Sequence, residues 1–342
     1  MTRRLRVVQW ATGSMGKTCL RAVLDAPDLE LVGLYVYSAA KAGVDAGEIA
    51  RRPATGVLAT SSIDDILALD ADVVLHCPML ASPYDGHDPD VKRLLESGKN
   101  VISINNYFHP WALGGAYARD LEASALQGGA TLAGVGVNPG WAAEKVAAAV
   151  AGISLRLDHI STSEVIDCSG IPNAAYVFGA LGMGADPAGL DLKDGPLART
   201  FTDMYAQSVA ALAQKLGIEL DAVEADHSVT LADNDFDVRA GVVRIGTVAA
   251  TTWRVHGLSG GVRRITHAVN WVMDMSLPAF AGKPHWEIEV TGLPGVRLSM
   301  DLAETPEPGV RTKPEQYAVA GMVLSAIPRV AAAPPGLWRG EP

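Results

Sequence analysis

The chain has 342 residues, 49% hydrophobic and 19% charged, with a formal net charge of −10. That length is too great for one core of ordinary size and predicts two domains, while the composition excludes a disordered chain. The acidity argues against nucleic acid and anionic membranes as partners, and the three scattered cysteines (Cys19, Cys77, Cys168) argue against a disulfide framework or a thiol zinc site.

In chain order, Leu5–Trp10 is an apolar strand that runs into a glycine-rich turn, followed by a helix over 16–25 with Cys19, Leu20, Val23 and Leu24 on one face. Leu29–Tyr37 and Val57–Thr60 are the second and third strands. A helix over 62–69 is capped by Ser61 or Ser62, with Asp64 and Asp65 in its first turn. Strand four is 72–77, a helix over 90–97 stops at Gly98, and strand five is 101–104. A helix over 115–127 stops at Gly128-Gly129, and strand six is 131–137. This alternation predicts a Rossmann-type, doubly wound parallel sheet over 1–139.

Beyond Asn138-Pro139-Gly140 the pattern changes. A helix over 141–151 leads into longer strands at 157–166, 242–255, 263–273, 286–291 and 296–302, with helices near 174–181 and 197–216 between them. Several of these strands alternate apolar and polar residues, as in a sheet with one covered face. The expected second domain, 140–312, is therefore α+β on a mixed sheet. A last helix, 314–329, and a tail in which Pro334-Pro335-Gly336 ends regular structure make a segment 313–342 expected to pack back towards the first domain. No secretory leader and no membrane-length apolar run is visible, so a cytoplasmic protein is expected.

The turn after strand one reads Ala11-Thr12-Gly13-Ser14-Met15-Gly16. Against the dinucleotide pattern GxGxxG it keeps the second and third glycines and has Ala11 at the first. Gly13 would admit a pyrophosphate close to the backbone, Gly16 would let the helix pack on the strand, and the helix N-terminus would face the anion. Ala11–Thr18 also fits a relaxed P-loop, but an NTPase needs an Asp at the end of a strand to hold magnesium, and strand four ends at His76-Cys77 without one. Strand two ends without the acid that binds a ribose 2′-OH. Ser38 and Lys41 there suit a 2′-phosphate, which points to NADP.

Several segments resemble the group of 2,4-diaminopentanoate dehydrogenase and native amine dehydrogenases, whose N-terminal domain is similar to dihydrodipicolinate reductase. They are TGSMG (12–16), GLYVYSAAKAGVDAG (33–47), GKNVIS (98–103), GVNPGW (136–141) and AIPRVAAAPPG (326–336). The resemblance covers essentially the whole chain. It implies NAD(P)-dependent interconversion of a carbonyl or imine with an amine or alcohol, and a homodimer formed through the second domain's sheet. In one respect the chain departs from the group. Amine-forming members carry a Glu just after strand five, where this sequence has Ile104-Asn105-Asn106-Tyr107-Phe108-His109-Pro110. An amide cannot take or give a proton at neutral pH, so ammonia activation there is in doubt.

Ligands of open α/β sheets lie beyond the carboxyl ends of the strands, which places Cys77, Pro78, Asn105 and Asn138 beside the cofactor. Asn105 or Asn106 would hold a substrate carbonyl, and Tyr107 or His109 would donate the proton. From the second domain the resemblance adds Glu164, Tyr176 and His267. No HxH or HExxH spacing supports a metal. The expected activity is NADPH-dependent reduction of a C=O or C=N bond in a small molecule. The alternatives are an amine dehydrogenase and a non-catalytic NADP(H) sensor.

Overall fold

The computed structural model describes residues 3–304 and 312–340. Two compact units emerge. The first comprises Met1–Ala81, Asp85–Trp141 and Ala303–Pro342, and the second Ser82–Tyr84 and Ala142–Leu302. Among the described residues no helix is long and apolar enough to cross a membrane.

In the first unit, strands β1 (Leu5–Trp10), β2 (Leu29–Tyr35), β3 (Ala59–Thr60), β4 (Val73–His76), β5 (Asn100–Ser103) and β6 (Thr131–Gly134) alternate with helices α1 (Ser14–Asp25), α2 (Ala46–Ala50), α3 (Ile63–Leu67), α4 (Asp88–Glu96) and α5 (Gly115–Gly128). All strand pairs are parallel, in the order β6-β5-β4-β1-β2-β3. Val7, Val8, Val73 and Val74 are fully buried, because helices cover both faces of a parallel sheet. Ser62 caps α3 by accepting the Asp65 N–H at 3.2 Å. The helix Pro314–Ala331 sinks Val323, Ile327 and Val330 into the core that holds Val7, Cys19 and Ile102. Regular structure does not stop at Pro335. Gly336–Leu337 forms a further parallel strand beside β6, pairing with Thr131 and Leu132, which the proline-rich tail did not suggest.

The second unit opens with a π-helical turn (Ala142–Val146) that passes into α6 (Ala147–Ala151), where one uninterrupted helix was expected. Strand β7 (Arg156–Asp167), a second π-helical turn (Ala175–Ala180) and α7 (Pro196–Leu216) follow. Then come β8 (Ala222–Ala225), β9 (Ser228–Leu231), β10 (Phe236–Val238), β11 (Gly241–Val243), β12 (Val248–Ser259), β13 (Val262–Val272), β14 (Trp286–Leu293) and β15 (Val296–Met300). The sheet runs β15-β14-β7-β13-β12-β8, with β9 also on β12, and only β7 and β13 are parallel. It is the mixed sheet expected. The strand expected over 242–255 is two strands, because Gly246 turns the chain at φ 77° and β11 pairs with β10 in a separate hairpin. Helix α7 covers one face so closely that a Cβ on Gly257 would stand 2.8 Å from Val209.

Candidate active site

The first unit builds the carboxyl edge of its sheet around the turn from β1 to α1. Gly16 meets the turn backbone directly: a Cβ there would lie 2.2 Å from the Ala11 carbonyl oxygen. Gly13 is the opposite case, with nothing within 4 Å of where its Cβ would be. Gly16 is thus required by packing, while Gly13 leaves open space at the helix N-terminus, as a bound pyrophosphate needs. No side chain caps α1 and no acid lies in its first turn. Ala11 adopts φ 71°, the left-handed conformation a glycine would adopt more easily, and buried Gln9 holds its carbonyl at 3.1 Å. Thr18 is buried and donates its hydroxyl back to the Ser14 carbonyl at 3.1 Å, so it does not face a magnesium position and the P-loop reading loses its support. Met15 packs against the core.

Past β2, Ser38 is exposed and begins a short helical turn (Ala39–Lys41). Lys41 reaches back over the glycine turn, donating to the Thr12 hydroxyl at 2.9 Å and the Thr12 carbonyl at 3.1 Å. Lys17 is held below its ordinary ionisation range, first by burial and then by the positive charges of Lys41, Arg21 and Arg51. None of these four cations forms an ion pair among the described residues. In a chain of net charge −10 these four cations make a locally positive patch. The sequence reading missed Arg21 and Arg51. Arg21 lies one turn beyond Lys17 on α1, but Arg51 comes close only through the fold.

The ends of β4, β5 and β6 form a second group in the same unit. Cys77 is buried and donates its N–H to the Trp10 carbonyl, and Asn105 donates its side-chain amide to the Pro78 carbonyl at 2.6 Å. Gly134 admits the loop after β5, since a Cβ there would lie 2.4 Å from the Phe108 nitrogen and 2.6 Å from the Asn106 oxygen. Asn106 is fully buried and Asn138 half-buried. His109 is half-buried and kept below its ordinary range by burial and then by the Arg339 charge. Tyr107 corrects the expectation of a proton donor. Its ring is 2% exposed within the core, and its hydroxyl donates to Asp88 at 2.7 Å, so it braces the loop instead of facing a ligand.

In the second unit, strand pairing puts Thr162, Glu164, His267, Trp271 and Trp286 on the sheet face under α7. Glu164 is buried, 3.2 Å from the imidazole Nε2 of His285, a residue of the turn before β14 that the sequence reading did not single out. Tyr205 of α7 is buried above them, its hydroxyl pushed up by burial and by the Glu164 charge. Tyr176 is half-buried on the second π-helical turn and likewise pushed up by burial. The expected proton-transfer role of His267 does not survive its placement. The ring is 1% exposed, edge-on to Tyr205, hydrogen-bonded to Thr162 at 2.7 Å, and burial lowers its pKa to about 3. It is a neutral core histidine. Among the described residues no group of three or more His, Cys, Asp or Glu could hold a metal.

Residues 7–78 match the family model for the N-terminus of dihydrodipicolinate reductase. With its Rossmann sheet, glycine turn and mixed-sheet second unit, the chain is an NAD(P)-dependent oxidoreductase. It is similar to an amine dehydrogenase of Streptomyces virginiae, 27% identical over 98% of this chain and 94% of that one. In fold it is similar to the amine dehydrogenase of Mycobacterium smegmatis (TM-score 0.79, 20% identity, covering 98% of this chain and 94% of that one). A more distant likeness is the biliverdin reductase of Synechocystis solved with biliverdin and NADP+ (TM-score 0.56, 14% identity, 95% and 91%).

Proposed function

We propose that the chain is a cytoplasmic NADP-dependent reductase of C=O or preformed C=N bonds in small organic molecules. The loop after β5 carries this reading: it offers the amides of Asn105 and Asn106 where an amine-forming site needs a carboxylate. The glycine turn and the α1 N-terminus would hold the pyrophosphate, and Ser38 and Lys41 the 2′-phosphate. Bound nicotinamide supplies or accepts a hydride. Asn105, its amide N–H fixed on Pro78, orients the reacting group, and His109, neutral at pH 7, relays a proton from water. Assembly as a two-fold homodimer through the sheet face opposite α7 belongs to the same reading. That face carries Ser161, Ser163, Thr266 and Asn270, and closed two-fold dimers are the commonest assembly. The sensor alternative has no observation in its favour.

NADPH is expected to bind more tightly than NADH. Lys41→Ala should weaken NADPH by about 2 kcal/mol through loss of one charge-assisted hydrogen bond and leave NADH unchanged, as read by fluorescence titration. Equal affinities of the native chain for the two cofactors would remove the 2′-phosphate assignment.

Amine dehydrogenation is the second reading, favoured by the Streptomyces relative and by the buried carboxylate of Glu164 beside His285. NADPH oxidation with ketones and cyclic imines, compared with ketones plus ammonia, decides between them. Carbonyls and preformed imines should turn over at least tenfold faster than amination, and Asn105→Glu should raise amination at high ammonia. Efficient amination by the native chain would transfer the chemistry to Glu164.

A further inference from the structure

Tyr37 and Tyr317 are the two exposed aromatic rings among the described residues, 55% and 46% exposed. Tyr37 directly precedes Ser38, yet its hydroxyl has a partner within the protein. The Trp10 indole N–H donates to it at 2.9 Å. The Tyr37 ring stands nearly perpendicular to Tyr35 (centroids 5.2 Å, 89° between planes) and to Trp10 (6.5 Å, 78°). Beneath it Trp10 and Tyr35 stack at 3.7 Å and 14°, and they occupy paired last positions of neighbouring parallel strands. Trp10 itself is fully buried. The ring is therefore fixed at its hydroxyl and packed perpendicular to two neighbours, while more than half of the residue stays open to solvent. A tyrosine kept on the surface for solubility alone would point its hydroxyl outward.

We propose that Tyr37 is the stacking platform for the purine ring of the dinucleotide, with Trp10 as its positioning residue. The inference rests on the cofactor reading given above and adds the group that recognises the base. In NADP the adenine and the 2′-phosphate are attached to adjacent carbons of one ribose. If Ser38 and Lys41 take the phosphate, the base comes within a few ångströms of the residue next to Ser38, and that residue is an immobilised aromatic ring. Stacking on such a face costs little side-chain entropy on binding, because the ring is already ordered.

Calorimetric titration of the full chain with 2′,5′-ADP, ADP, NADPH and reduced nicotinamide mononucleotide tests this. Tyr37→Ala should weaken 2′,5′-ADP, ADP and NADPH by about 5- to 150-fold, the range spanned by loss of one aromatic–base stack, and leave the mononucleotide unchanged. Tyr37→Phe keeps the face and should stay within about threefold of the native chain. Trp10→Phe removes the N–H and should lie between the two, with a less favourable binding entropy as the freed ring is ordered by the ligand. Adenine-nucleotide affinities of Tyr37→Ala within twofold of native would overturn the platform while leaving the cofactor reading standing. A native chain that binds ADP but neither 2′,5′-ADP nor NADPH would remove the 2′-phosphate assignment, and the ADP titration would still decide the platform. Binding of none of the four would overturn both. A changed mass of Tyr37→Ala in light scattering, with its nucleotide affinities intact, would mark the ring as a contact between copies and likewise overturn the proposal.

Discussion

Acidification from pH 7 to pH 4.5 is expected to cost the second unit about 3 kcal/mol through His267 alone. Folded, its imidazole binds a proton only near pH 3, whereas the unfolded chain binds it near the ordinary value of 6.5. Between those values the unfolded state holds more protons, so stability is full above pH 6.5 and falls as the pH drops towards 3. The cause is burial: the ring lies under α7 with Thr162 at Nδ1 and the edge of Tyr205 beside it, and no described group stabilises an imidazolium. His267→Gln removes the titration and keeps a polar partner for Thr162. Urea unfolding followed by tryptophan emission should show the variant less stable at pH 7 but with an acid slope shallower by about 3 kcal/mol over the same interval. Parallel pH curves for variant and native chain would show that the acid sensitivity arises elsewhere. His76 is the first alternative: it is fully buried at the end of β4 and lowered by burial and by its neighbour His87.

The two glycines of the nucleotide turn should separate folding from binding. Gly16→Ala drives a methyl group into the Ala11 carbonyl, a backbone atom that cannot swing aside, and is expected to cost about 3 kcal/mol of stability. Gly13→Ala meets open space at φ −66°, a conformation any residue adopts, and should change stability by less than about 0.5 kcal/mol. The same methyl group would occupy the room left for pyrophosphate, so dinucleotide affinity should fall more than tenfold, about 1.4 kcal/mol or more. Thermal melts and cofactor titrations of both variants check the pair. A Gly13→Ala chain that binds NADPH normally would show that the phosphates do not lie over this turn.

The first unit was legible because its strands are buried on both faces and read as unbroken apolar runs, and because glycine marks the one turn whose backbone must be approached closely. Ser62 and Gly98 marked helix ends for equally local reasons. The second unit was harder. Strands β8, β9 and β10 are short and mostly exposed, so they carry no periodicity. The two π-helical turns read as ordinary helix because their apolar spacing differs little from it over five or six residues. Site residues failed in a different way. Tyr107 and His267 have the right chemistry, and nothing in their sequence neighbours says that Asp88 or Thr162 consumes it. His285 and Arg51 matter through partners more than thirty residues away, Glu164 for one and Lys17 for the other, and spacing cannot report such contacts.

The first unit is completed by residues that lie beyond the whole of the second. Val323, Ile327 and Val330 fill the same core as Val7 and Cys19, and Gly336–Leu337 extends the sheet past β6. During synthesis the glycine turn and its sheet therefore wait, with that core unfinished, while the entire second unit is made. The core beneath the glycine turn is complete only once translation has passed the last helix. Shortening the chain before Pro314 would strip a core wall from the N-terminal unit, although the lost residues lie some three hundred positions from the turn in sequence.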